Sequence, residues 1–160
     1  MSTALLLLEA ILVIAAGWDV AQRRIPNPLV LCGLLLGPCL AVYDGGWSGL
    51  GLSVLGAVLG FGLTFPQWAL KLMGGGDAKL FVVVGAFLGP LMVVDALIWS
   101  LLCHGLVSVA MLGTRRVQAL TGRVLLADTA RVPMAVAVPV GCGLATAFPL
   151  LQPVIEGFTA

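Results

Sequence analysis

The sequence predicts an all-α membrane protein, a polytopic bundle of about six transmembrane helices with both termini outside. Three observations lead there. Hydrophobic residues make up 61% of the 160 and charged residues only 9%, against about 45–50% and 25% in ordinary soluble domains. Apolar stretches recur along the chain, and at about 20 residues per span there is room for six. The eight basic residues fall into three polar segments, each separated from the next by a pair of spans. This composition excludes a soluble enzyme, a nucleic-acid binder and a disordered tail, and makes the lipid bilayer the expected surroundings. The net charge of +1 says nothing about partners.

The elements follow in order. Span one covers residues 3–21. It is read as retained rather than as a cleaved secretory signal, because it lacks a basic start and Glu9 interrupts the apolar run. The polar stretch Gln22-Arg23-Arg24-Ile25-Pro26-Asn27-Pro28 leads to span two, 29–43, and Asp44-Gly45-Gly46 reads as a turn. Span three, 48–72, is bracketed by Trp47 and Trp68. Their spacing corresponds to about 31 Å of helix, matching the hydrocarbon thickness expected between interfacial anchors. Met73-Gly74-Gly75-Gly76-Asp77 opens span four, which Gly89-Pro90 ends. Span five covers 91–112, a polar stretch fills 113–132, and span six covers 133–151. Within the polar stretch, residues 115–127 have the spacing of a short amphipathic helix lying on the membrane surface. Without an internal repeat or a low-complexity linker, residues 1–160 read as a single domain.

Span five could instead continue span four as one kinked helix, giving five spans. The charges favour six. Arg23 and Arg24, then Lys71 and Lys79, then Arg115, Arg116, Arg123 and Arg131 share one side only with six spans, and the positive-inside rule makes that side the cytoplasm. Gly33-x-x-x-Gly37, Gly56-x-x-x-Gly60 and Gly85-x-x-x-Gly89 are spaced to let helices approach closely. Cys32, Cys39, Cys103 and Cys142, lacking any CxxC pairing, read as small buried hydrophobes.

Carboxylates within apolar spans cost free energy and call for explanation. Taken singly, Asp19 reads as an interfacial acid paired with Arg23, and Asp77 as a helix N-cap after a turn. Together they read differently. The six-span arrangement puts both on the cytoplasmic side at similar depth. Span four is also short, about 18 Å from Asp77 to Gly89 against a core of about 30 Å, so Asp77 is recessed below the cytoplasmic surface. Recessed, glycine-rich, non-helical backbone is tolerated only beside protein or a wet cavity. Two facing carboxylates in such a cavity can share one proton and activate a water, which is the chemistry of an aspartyl hydrolase. Glu9 and Asp95 lie toward the outer side and read as structural intramembrane acids, and His104 as a hydrogen-bonded packing residue. With no Cys/His cluster at ligand spacing, neither a metal nor a cofactor is expected.

Trp18-Asp19-x-x-x-Arg23-Arg24-Ile25-Pro26-Asn27 resembles the first motif of bacterial type IV prepilin peptidases. Gly74-Gly75-Gly76-Asp77-Ala78-Lys79-Leu80 resembles their second, G-x-G-D followed by x-K. Arg131-Val132-Pro133 is similar to a basic–apolar–proline stretch of the same family. The resemblance implies an inner-membrane aspartic endopeptidase that removes the basic leader of prepilins or pseudopilins at the cytoplasmic face. It implies Asp19 and Asp77 as the catalytic pair, and Gly74, Gly75, Gly76, Lys79, Arg23, Pro26 and Asn27 as residues shaping the site. Pilus-assembly machinery becomes a possible partner. Larger members carry an N-terminal methyltransferase region with paired zinc-binding cysteines. This chain shows neither, and so resembles the short peptidase-only form of tight-adherence (Flp) pilus systems. The family's aromatic residue and glycine after the proline are replaced by Met134 and Ala135. Two other classes stand beside this reading: a proton-coupled transporter relaying through Glu9, Asp19, Asp77 and Asp95, and a structural pilus-assembly subunit.

Overall fold

The computed structural model describes residues 3–22, 24–71, 73–120 and 134–151, with backbone alone at 107–108, 110–120 and 134–135. These residues form four helices and no strand: α1 (Thr3–Gln22), α2 (Asn27–Ala69), α3 (Gly75–Leu120) and α4 (Met134–Ala147). α1, α2 and the Gly75–Leu106 part of α3 are each long and apolar enough to cross a membrane, while the apolar part of α4, Val136–Ala147, is shorter.

Two of the helices are hairpins. Gly46 adopts φ 60° and ψ −144°, a conformation open to glycine, and the chain turns back there. Gly49 consequently lies against the carbonyl of Ala41, which a straight helix would hold about 12 Å away. Gly89, at φ 80° and ψ −177°, does the same for α3, helped by Pro90, which disfavours helical backbone in the residue before it. Gly60 meets both the Phe81 carbonyl and the Val93 side chain, two points about 18 Å apart along an unbroken helix. α2 therefore has limbs 27–45 and 47–69, and α3 has limbs 75–88 and 90–120. With α1 and α4 these make six helical segments. The breaks fall where Gly45-Gly46 and Gly89-Pro90 predict them, and one kinked helix over 77–112 does not fit the reversal.

The glycine pairs set the packing. Gly33 meets Val83, and Gly37 meets Ala86 and Phe87, so the first limbs of α2 and α3 run parallel. Gly56 meets Gly85 and Gly89, and Ser53 donates to the Ala86 carbonyl at 2.6 Å, so the second limb of α2 runs antiparallel to the first limb of α3. Ser100 meets Gly141, joining α3 to α4. The buried core gathers Leu8 and Leu12 of α1, Leu80, Phe81 and Val84 of α3, and Val138 and Cys142 of α4.

Four expectations need correction. First, span five does not end at 112: α3 runs on to Leu120, so the helix that the spacing predicts from 115 is the end of α3 and not a separate surface helix, because Arg, Gln, Ala and Leu propagate a helix well. The limb 90–120 is about 46 Å long, more than the roughly 30 Å thickness of a hydrocarbon core. The amphipathic reading of 115–127 reaches the described residues only as far as Leu120, and Arg123, Asp128 and Arg131-Val132-Pro133 lie outside them. Second, α4 stops at Ala147 rather than 151, two residues before Pro149. The stretch after it is held from α3, by the Trp99 indole donating to the Phe148 carbonyl at 3.2 Å and by Asp95 Oδ2 accepting from the Leu151 amide at 3.4 Å. Third, of the cysteines only Cys142 is buried, and Cys32 and Cys39 are exposed, because the first limb of α2 packs along one face and leaves the other outward. Fourth, His104 is half-buried and its Nδ1 meets no hydrogen-bond partner among the described residues.

Candidate active site

The C-terminal end of α1, both ends of α2 and the N-terminal end of α3 come together at one end of the bundle. The reversals at Gly46 and Gly89, with Asp95, mark the opposite end. α2 ends through Lys71, whose φ of 58° is the left-handed conformation that commonly follows a helix C-cap. Lys71 N donates to the Trp68 carbonyl at 2.9 Å and Met73 N to the Gln67 carbonyl at 3.2 Å. The chain thereby turns directly into the glycine run that starts α3.

Asp77 lies in the first turn of α3 and is buried, with 7% exposure. It is not the N-cap that its position after a turn predicts. Gly74 caps the helix, with its carbonyl accepting from Ala78 N at 3.3 Å. Asp77 Oδ2 reaches back to within 2.9 Å of where a Gly74 Cβ would stand, which sets its carboxylate beside the Gly74 backbone. This is the N3 half of a capping box, and Gly74 has no side chain to supply the other half. Any side chain at position 74 would push the carboxylate aside.

Asp19 is half-buried near the end of α1, and the two carboxylates are close enough to repel one another when both are charged. Gly74 and Gly75 are exposed beside them. A Cβ on Gly75 would stand 3.1 Å from Trp68 Nε1, and one on Gly76 would stand 2.9 Å from Ile25 Cδ1. The Pro26 carbonyl accepts from Leu29 N at 3.1 Å and starts α2. Lys79 Nζ donates to Asn27 Oδ1 at 2.9 Å. The sequence-predicted residues Asp19, Asp77, Gly74, Gly75, Gly76, Lys79, Pro26 and Asn27 thus share one end of the bundle, while Arg23 lies outside the described residues. Arg24, Lys71 and Lys79 share that end.

Trp68 and Ile25 were missed as site residues. Trp68 reads from sequence as a membrane-interface anchor, and its exposure is consistent with that, but its indole also lines the glycine turn. Ile25 carried no signal beyond its place in the first motif. Glu9 is removed from the cluster, with its carboxylate against Cys142 and Gly143 of α4. Among the described residues, no group of His, Cys, Asp and Glu side chains is arranged to hold a metal ion.

Two apolar helical hairpins packed through glycine, with Asp19 and Asp77 at one end beside a glycine turn, define an all-helical protein whose long apolar helices suit a membrane, with a candidate acid–base site at that end. Residues 6–109 match the type IV leader peptidase family, and the chain belongs to that family. It is 36% identical over 104 residues to a prepilin leader peptidase/N-methyltransferase of Pseudomonas putida, covering 61% of this chain and 36% of that protein. It is 39% identical over 93 residues to the proteins of the same name from Aeromonas hydrophila and Aeromonas salmonicida, covering 54% of this chain and 32% of each. The matches therefore span about a third of these relatives' length. No solved structure matches the chain.

Proposed function

We propose that this chain is an aspartic endopeptidase of the bacterial inner membrane. It crosses the membrane six times with both termini outside, and it removes the basic leader of type IV, Flp-like prepilins at the cytoplasmic face. The observation that carries the reading is that Asp19 and Asp77 lie at the same end of the bundle, beside the exposed Gly74-Gly75 turn, in a member of the type IV leader peptidase family. The gathering of Arg24, Lys71 and Lys79 at that end supports its cytoplasmic orientation.

Two carboxylates facing one another share one proton rather than both ionising. The ionised carboxylate takes a proton from a water held between the two, and the resulting hydroxide attacks the scissile carbonyl. The protonated carboxyl hydrogen-bonds the carbonyl oxygen as charge develops there, and a proton passes to the leaving nitrogen. The shared proton belongs to the pair, so neither residue holds one role throughout. The bare backbone at Gly74 and Gly75 gives an extended substrate groups to pair with, as an added strand. The chemistry uses neither metal nor cofactor. The relatives are also named for an N-methyltransferase, and the proposal for this chain concerns cleavage alone, by a single peptidase domain. Pilus-assembly machinery is the partner that would receive the product. The test is incubation of the detergent-purified protein with a basic-leader prepilin. A product shortened by the leader supports the reading, and an intact prepilin under conditions where the protein remains folded overturns it.

A further inference from the structure

Lys79 and Asn27 form a side-chain hydrogen bond between segments 52 residues apart in sequence. Asn27 is the first residue of α2, reached from Asp19 through the end of α1 and the short connection that includes Ile25 and Pro26. Lys79 follows Asp77 by two residues in the first turns of α3. At 100° per residue, two residues that are two positions apart differ by about 200° around a helix. Asp77 and Lys79 therefore leave α3 on nearly opposite sides, Asp77 toward α1 and Lys79 toward α2. Between them in sequence sits Gly76, whose bare face receives the Ile25 side chain. The start of α3 is thus gripped by the α1–α2 connection at two points.

We infer that the Lys79–Asn27 hydrogen bond is a positioning clamp that fixes the rotation of α3 about its axis and so aims Asp77 at Asp19. The inference rests on the reading of those aspartates as the catalytic pair. Lys79 and Asn27 are positioning residues and touch neither the substrate nor the water. A helix start has few backbone bonds of its own to hold its orientation, and here its capping residue is a glycine without a side chain. Both partners are exposed, so the clamp adds little to global stability. A displacement of about 1 Å in a reacting group can nonetheless cost on the order of 100-fold in rate.

The experiment measures kcat and KM of purified full-length Lys79→Ala, Asn27→Ala, the double variant, Lys79→Met, Lys79→Arg and Asn27→Asp on a basic-leader prepilin. Each alanine variant is expected to lose roughly 10- to 100-fold in kcat with KM changed less than about threefold, and the double variant to lose no more than the worse single. Asn27→Asp, which keeps an acceptor, and Lys79→Arg, which keeps a donor, should recover most of the loss. Lys79→Met keeps the apolar stem without the donor and should match Lys79→Ala. If alanine at 79 lowers the melting temperature, the Met variant carries the comparison. Loss confined to KM, an additive double variant, or a fully active Asn27→Ala beside an inactive Lys79→Ala would overturn the clamp and make Lys79 a direct substrate contact. Normal cleavage by Asp19→Asn or Asp77→Asn would instead overturn the catalytic pair itself, so the two failures are distinguishable.

Discussion

The backbones of Gly56 and Gly85 are in contact. A Cβ on either residue would run into the carbonyl oxygen of the other. The second limb of α2 and the first limb of α3 therefore meet main chain to main chain, in the manner of membrane helices that pack through small residues. This contact brings the end of α2 up to the start of α3 and so helps set where the Gly74–Asp77 turn sits.

Substitutions separate this contact from the other glycines. Gly56→Leu and Gly85→Leu place side-chain atoms onto backbone that cannot swing away. They should cost at or above the upper end of the usual 1–3 kcal/mol for overpacking, roughly. Gly51 and Gly62 lie in the same limb of α2, with open space where a Cβ would stand. Gly51→Ala and Gly62→Ala should stabilise by about 0.5–1 kcal/mol, because alanine loses less backbone freedom on entering a helix. Thermal unfolding in detergent should show the opposite signs.

At the far end, Asp95 is buried and accepts from the Leu151 amide. Asp95→Asn keeps a carbonyl oxygen for that amide and should change stability by less than about 1 kcal/mol. Asp95→Leu leaves the amide unpaired, at about 1–3 kcal/mol. Melting temperature ranks the two. Both should still cleave prepilin, since Asp95 lies by the Gly89 reversal and away from Asp77.

Membrane orientation is tested by labelling. In a background without Cys32, Cys39, Cys103 and Cys142, single cysteines at Arg24, Lys71 and Arg116 should react with an impermeant reagent only from the cytoplasmic side. A cysteine at Asp44 should react only from the outer side. Arg116 labelling opposite to Lys71 would remove one span and with it the argument from basic loops.

The backbone breaks were open to sequence reading because glycine and proline act locally. Gly46 and Gly89 reverse the chain through their own dihedral angles, whatever packs around them. Asp19 and Asp77 stood out for a different reason, since a carboxylate within an apolar stretch is costly enough to need a role. At 115–120 the spacing shows the helix but not that it is the end of α3, because polarity reports on the surroundings and not on the backbone. A helix leaving the membrane stays a helix while its residues favour one. The Lys79–Asn27 bond and the Trp68–Gly75 contact depend on the register between α2 and α3. Glycine spacing shows that two helices can approach, but not at which residues they meet.

Chelation offers an independent check on the chemistry. A carboxylate pair activates water unaided, so cleavage should persist within about twofold in excess EDTA. Complete loss, restored by one particular metal ion, would replace the aspartyl mechanism with metal-assisted hydrolysis.

The sharpest prediction concerns the aspartates. Asp19→Asn and Asp77→Asn should each abolish leader cleavage while the protein still inserts and melts near the unaltered temperature. Asparagine at 77 keeps an oxygen that can accept from the Gly74 amide, so the capping role at the start of α3 largely survives. What it lacks is a proton that comes and goes, and the shared-proton mechanism requires that of both residues. Groups acting as one unit lose activity together, so the double variant should be little worse than either single. Glu9→Gln should retain cleavage, because Glu9 sits against Cys142 and Gly143, roughly 15 Å along α1 from Asp19. Because Asp77 contributes to helix capping as well as to the proposed chemistry, Asp77→Ala is the less informative change, since it removes both at once. The asparagine variants separate the two roles, and near-normal cleavage by either one would leave Asp77 as a capping residue and Asp19 as an interfacial acid.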